Sequence, residues 1–394
     1  VYKRQGGHFD ISRPDSLMLL LAFVGLALLR FTESWKGAVA AGVVLTLSFF
    51  TKQHAVWFAF AGLGYLLFGD RRRLVPFGAT VLVGFAGGFF LLSAWLGPWF
   101  TFFTWDEPSH WSQVDRGRII DYLGYKLLGR YGLLSAATFL ALAVPGGLGR
   151  GRGGLWAWVG LAGVATGLMA TLDPHAFSHV INPTVVTLSV LGPLAIHHLL
   201  EHYGTMPDNR LGHRTALVLL LLLGQFVVLY YGIRGFMPDP RAGEARAELE
   251  ALIASYPGPV MVAYHGHYAR SAGKGTSLQM IAFDDIVRAE GNSLLERDPE
   301  FVDRMMEPLR SGEQRPVIIS DAELAESGDQ TNPWWREVAP GYVLLGELGW
   351  IGEALTPVVG HPTAPRYVYV PRERADEFSA EGLPVPAGAE SEER

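Results

Sequence analysis

The chain has 394 residues, no cysteine, 49% hydrophobic residues and a formal net charge of −6. The missing cysteine excludes disulfide and thiolate chemistry. The average charge conceals a division: residues 1–235 carry 18 Lys and Arg against 11 Asp and Glu, a net of +7, while residues 236–394 carry 14 against 27, a net of −13. Basic residues concentrated in short loops between apolar runs suggest a membrane block, and the acidic remainder suggests a solvated domain.

The chain opens on Val1-Tyr2-Lys3-Arg4-Gln5 without an initiator Met, a signal peptide or a preceding apolar span, which predicts a fragment whose N-terminal part is missing. Apolar runs follow at about 16–31, 37–51, 54–69, 74–97, 131–145, 155–172, 183–200 and 215–235. Crossing roughly 30 Å of hydrocarbon takes about 20 helical residues. Several runs are shorter than that, yet eight of them are too many for one soluble core. The expected fold class is a polytopic α-helical membrane protein of about eight spans with a C-terminal extracytoplasmic α/β domain.

Orientation follows from the loops. Arg30 with Lys36, Asp70-Arg71-Arg72-Arg73, Arg150 with Arg152, and Arg210 with Arg214 occupy alternate loops, which the positive-inside rule makes cytoplasmic. The opposite set then faces outward: the start through Asp15, the turn Thr51-Lys52-Gln53-His54, the loop 98–130 and the segment Asp173–Pro183. The last span exits outward, which places the multi-pass protein in the inner or plasma membrane with its C-terminal domain outside the cytoplasm. Residues 1–235 form the membrane domain, 236–379 the α/β domain, and 380–394, rich in Pro, Gly, Ala and Glu, a disordered tail. Within the α/β domain, Pro259–Tyr264, Val317–Ser320 and Arg366–Val370 read as buried strands. Leu278–Ala289 and Glu300–Glu307 read as helices, the second ending at Pro308.

The runs flanking Lys52 are each about 15 residues, so the hairpin they form leaves its polar tip below the membrane surface. A lysine there is costly unless it faces water, an anion or a partner. Snorkelling to the headgroups is the bland alternative, but Gln53 and His54 beside Lys52 favour an anion-binding cavity. Arg13-Pro14-Asp15 opens the first run on the same face. Pro at a helix start and Asp in a first turn are structural preferences, whereas Arg13 suits pairing with Asp15 or a phosphate.

His175 and His179 have i,i+4 spacing, which on a helix suits a metal. No third ligand is evident, and lining of a substrate cavity by Asp173, His175, His179 and Asn182 is the stronger reading. In the outer loop an interfacial belt explains the tryptophans, and Asp106, Glu107 and His110 among them are candidates for contact with a polar substrate or a cation. Gly273-Lys274-Gly275-Thr276 fails as a phosphate loop, because six residues separate Gly266 from Gly273 and Gly275 follows the Lys. His197, His198 and His202 suit a surface cluster at a helix C-terminus.

The R-P-D opening of a span, the cytoplasmic basic turn, the Ser48–Ala55 hairpin tip (SFFTKQHA) and the His175–Pro183 segment (HAFSHVINP) together resemble the bacterial GT-C membrane glycosyltransferases. These are relatives of the protein O-mannosyltransferases and of the lipid A aminoarabinose transferase. The resemblance implies transfer of a sugar from a polyprenyl-phosphate carrier to a lipid, glycan or protein acceptor outside the cytoplasm. It implies membrane lipids and no nucleic acid as partners, and leaves room for a divalent metal. Lys52 and Arg13 would hold the lipid phosphate, and Gln53, His54, His179 and Asn182 would line the sugar or acceptor pocket. The family's acidic base lies on its first outer loop, which is expected upstream of this sequence. The alternatives are a transporter or lipid flippase, whose repeated halves are not evident, and a membrane-anchored sensor or scaffold, for which eight spans are excessive.

Overall fold

The computed structural model describes residues 14–111, 115–143, 154–172, 178–204, isolated positions between 216 and 229, and 237–380 except 276–277, 279, 289–292, 312–314, 325–332 and 359–362. The chain divides into two units, Val1–Gly232 and Ile233–Arg394, within a few residues of the boundary expected from charge. Of the expected tail, 380–394, Ala380 ends a short helix and the rest lies outside the described residues.

The first unit is helical. Its long helices are α1 (Pro14–Phe31), α2 (Trp35–Thr51), α3 (Val56–Gly69), α4 (Arg71–Leu96), α5 (Tyr131–Ala143), α6 (Gly154–Thr171) and α7 (Asn182–Gly204). These match seven of the eight apolar runs. The eighth, 215–235, is described only at scattered helical positions. Among the described residues four helices are long and apolar enough to cross a membrane: Pro14–Phe31, Arg71–Leu96, Gly154–Thr171 and the Asn182–Glu201 stretch. The others are short, since 17 residues of α2 rise only about 26 Å and 14 residues of α3 about 21 Å.

Nearly uniform apolarity leaves these helices no polar face to mark which side packs inward. In α1, Met18, Ala22, Gly25 and Leu29 are buried at helical spacing, while Leu17, Leu20 and Val24 are exposed. Exposed large apolar side chains belong almost entirely to this unit; in the second, only Met237 and Leu344 are so exposed among the described residues. A surface of that kind suits hydrocarbon better than water.

Small residues bring the helices close, as membrane helices require when lipid supplies no hydrophobic drive between them. A β-carbon on Gly42 of α2 would lie 2.8 Å from Thr80 Cβ and 3.3 Å from the Phe77 carbonyl oxygen of α4. Gly42→Val should therefore cost about 1–3 kcal/mol through overpacking, read as a lower unfolding midpoint in detergent. Gly87→Val is the control, because nothing lies within 4 Å of its added β-carbon. Equal midpoints for the two variants would show that the α2–α4 approach does not depend on Gly42.

Arg73, one of the residues that set the expected orientation, is buried. Its Nε donates to Asp70 Oδ2 at 2.7 Å and its Nη1 to Leu29 O at 2.8 Å and to Thr32 O. It satisfies carbonyls at the C-terminal end of α1, which the helix itself leaves unpaired. Two π-helical segments, Phe102–Asp106 and Asp121–Arg130, interrupt the loop before α5. In the longer one, Lys126 pairs with Asp121 at 3.1 Å and the Arg130 guanidinium sits 5.0 Å over the Tyr125 ring. Both pairs are five residues apart, the spacing of a π-helix hydrogen bond. Gln225 closes that segment by donating to Arg130 O at 2.6 Å and accepting from Leu133 N at 3.2 Å.

The second unit holds a four-stranded sheet in the order β1-β2-β4-β3, with β1 Val260–Val262, β2 Val317–Ser320, β3 Tyr342–Glu347 and β4 Tyr367–Pro371. β1 and β2 are parallel, and both β2–β4 and β4–β3 are antiparallel. Alternate residues serve opposite faces. Val260, Val262, Val317, Ile319, Val368 and Val370 pack with Leu249, Ile253 and Phe378, whereas Met261, Ile318 and Tyr369 pack with Phe283, Met306 and Trp335. Burial on both faces explains why the strands read as unbroken apolar runs. Helices cover both faces, among them Ala242–Ser255, Met280–Arg288 and Phe301–Arg310. The last runs past the expected stop, because Pro308 removes one backbone donor near the end of a helix whose Met306 and Leu309 are already buried.

Candidate functional site

The helix ends opposite the Asp70–Arg73 turn gather most of the residues singled out in the sequence. α2 ends at Thr51. Lys52 adopts extended backbone, φ −162° and ψ 126°, and a 3₁₀ turn over Gln53–Ala55 leads into α3. Lys52 Nζ donates to Asp15 Oδ1 at 2.5 Å. The pair thus joins the R-P-D and T-K-Q-H-A motifs across 37 positions. Asp15 lies in the first turn of α1 and Lys52 at the C-terminal end of α2, so each charge also complements its own helix dipole. The Asp15 carboxylate is the deeper partner, its side chain 7% exposed against 22% for Lys52.

Gln53 Nε2 donates to Thr104 O at 3.3 Å, which ties the same tip to the 98–111 segment. That segment holds Asp106, whose carbonyl accepts from Ser109 Oγ at 2.6 Å and lies 2.7 Å from His110 Nδ1, and Glu107, which is buried. His54 is half-buried within the 3₁₀ turn.

α6 runs antiparallel to α3, since Phe68 at the end of α3 stacks on Trp158 near the start of α6, with ring centroids 5.9 Å apart. The C-terminus of α6 and the start of α7 therefore lie at the Lys52 end. There Asn182 is buried, and its amide oxygen has no hydrogen-bond partner among the described residues. Beside it, Tyr122 OH and Thr184 Oγ1 lie 2.5 Å apart and share a hydrogen bond, and the hydroxyl that does not donate there donates to a backbone carbonyl, Val164 O at 3.0 Å from Tyr122 or Gly163 O at 2.8 Å from Thr184.

Arg13, Asp173 and His175 lie outside the described residues, as does the His179 side chain; the His179 backbone belongs to the 3₁₀ turn Ser178–Ile181. The i,i+4 metal reading of the two histidines therefore rests on residues beyond the description. Among the described residues no three His, Asp or Glu side chains converge as a metal would need. Sequence reasoning missed Tyr122 and Thr184 and gave Ser48, at the edge of the hairpin motif, no role of its own, because their hydroxyls lie in or beside apolar runs and carry no charge to mark them.

In the second unit, Lys274 donates to Tyr256 O at 2.6 Å, so the rejected phosphate-loop lysine holds backbone instead. His265 and His267 follow β1 at the carboxyl end of the parallel pair, where ligands of open α/β sheets usually bind. Burial holds both imidazoles below the ordinary His range, and for His265 the neighbouring His267 adds to that effect. Comparison of the chain with protein-family models, curated proteins and solved structures returns no significant match.

Proposed function

We propose that the chain is a membrane glycosyltransferase that moves a sugar from a polyprenyl-phosphate carrier to a lipid, glycan or protein acceptor on the extracytoplasmic side. The observation that carries this reading is the Asp15–Lys52 pair: two motifs chosen for their resemblance to the GT-C enzymes meet at 2.5 Å at one end of the helical unit. A partly exposed ammonium at that place suits a phosphate diester. In the reaction an acceptor hydroxyl attacks the anomeric carbon, the bond from that carbon to the phosphate oxygen breaks, and the hydroxyl proton passes to a base. Lys52 stabilises the charge that gathers on the departing phosphate. Gln53, His54 and Asn182 line the pocket, with Arg13 and His179 as further contacts, while Asp106 and Glu107 lie on the adjoining segment. His175 belongs to the same proposed lining.

The test supplies a labelled polyprenyl-phosphate sugar to the native protein in lipid. Release of polyprenyl phosphate with transfer of label to an acceptor is expected. An intact donor that merely changes leaflet would instead identify a flippase.

Orientation has its own test. The chain has no native thiol, so a single introduced cysteine is an unambiguous probe. Ala247→Cys, on the exposed side of Ala242–Ser255, should react with a membrane-impermeant thiol reagent in intact cells. Glu33→Cys, in the exposed α1–α2 turn, should react only after permeabilisation. The opposite pattern would overturn the placement of the Lys52 end outside.

A further inference from the structure

The geometry points to Asp15 as a positioning residue that fixes the Lys52 ammonium for a phosphate anion, an inference that rests on the proposed role of Lys52. The lysine stem has four rotatable carbons and its head is a compact charge, so an unanchored ammonium samples many positions. Asp15 removes that freedom. It stands in the first turn of α1, buried, beside Met18, which is 0% exposed. One of the three ammonium hydrogens serves Oδ1 at 2.5 Å. No other polar partner of Nζ occurs among the described residues, and the lysine is the more exposed member of the pair. Two donors on the open side therefore remain for a ligand.

A purely structural role for the pair would be to hold α1 against α2, but other contacts already do so. Ser48 Oγ of α2 donates to Met18 O of α1 at 2.7 Å in the buried interface, one turn from Lys52. Deeper in, Gly25 of α1 lies so close to Leu45 of α2 that an added β-carbon would sit 2.8 Å from Leu45 Cγ. The register of the two helices at this end is thus set independently of the charges. What the carboxylate adds is the location of Nζ. An anion bound beyond it completes an alternation of negative, positive and negative charge, with the lysine shared between carboxylate and phosphate.

Farnesyl phosphate, titrated into the full native chain in uncharged detergent, is the probe. Inorganic phosphate and phosphatidylglycerol are separate arms, and unfolding midpoints are recorded for every variant. Asp15→Asn should weaken farnesyl phosphate binding about tenfold, the scale of a lost charge-assisted contact. Asp15→Glu keeps the charge but shifts it by one methylene; it should bind several-fold more weakly with an unchanged unfolding midpoint. Native affinity in both variants, with loss in Lys52→Met, would overturn the positioning role while leaving the anion site standing. Native affinity in Lys52→Met would instead refute the phosphate role of Lys52. Equal binding of phosphatidylglycerol would mark a bulk headgroup site and overturn the inference.

Discussion

Replacing Lys52 by Met should reduce sugar transfer by about tenfold to more than a hundredfold, because a charge-assisted hydrogen bond to phosphate contributes about 1.5–3 kcal/mol. The structure adds a complication. Asp15 is the buried partner, so Lys52→Met strands a carboxylate away from water, and removing one member of a buried pair typically costs about 3–5 kcal/mol of stability. A fall in transfer alone would confuse misfolding with lost chemistry. The double variant Lys52→Met with Asp15→Asn separates them, since it removes both charges at similar shape and should regain most of the unfolding midpoint. Transfer should stay low in the double variant. Recovery of transfer along with stability would show that Lys52 serves only to neutralise Asp15.

Arg73→Ala should lower the stability of the helical unit by about 3 kcal/mol. The substitution leaves the Leu29 and Thr32 carbonyls without their buried donor, and each unsatisfied buried group costs about 1–3 kcal/mol. It also removes the Asp70 contact, which contributes less because Asp70 is partly exposed. Arg73→Lys should recover only part of the loss, since a single ammonium cannot reproduce the guanidinium fork that serves three oxygens. Denaturant titration in detergent reads both. An unchanged midpoint for Arg73→Ala would mean that water caps α1 equally well, leaving Arg73 with an orienting charge alone.

Seven apolar runs were legible as helices because apolar length is written directly in composition, and three of the four strands because burial on both faces leaves short unbroken runs of Val, Ile, Met and Tyr. β3 was not legible. Its apolar residues Tyr342–Leu345 break off at Gly346 and Glu347, and only Tyr342 and Gly346 are buried, so the run is shorter and less buried than those of the other strands. The tip around Lys52 was readable as a place where charge meets hydrocarbon, but its partner was not. Arg13, which suits pairing with Asp15 or a phosphate, lies outside the described residues, and the described partner of Asp15 is Lys52, brought across by the return of α2. Position in the chain could not reveal that, because Arg13 is two residues from Asp15 and Lys52 is thirty-seven. The basic turn shows the converse difficulty: Arg73 reads as a topological charge, and in the fold it is also a buried cap.

Strand order also bears on synthesis. β2 lies between β1 and β4, and Val260 pairs with Val317 while Ile319 pairs with Val368. β1, the preceding strand, closes one edge of β2, but the other edge waits for β4 rather than for β3, the next strand in sequence. A nascent chain that has released β1 and β2 still exposes one side of β2 until Tyr367–Pro371 emerges, and such unpaired edges are where growing chains misassociate. The helices of the first unit face no such delay, since each satisfies its own backbone as it forms. One half of the protein is therefore built increment by increment, and the other completes its sheet only when its last strand arrives.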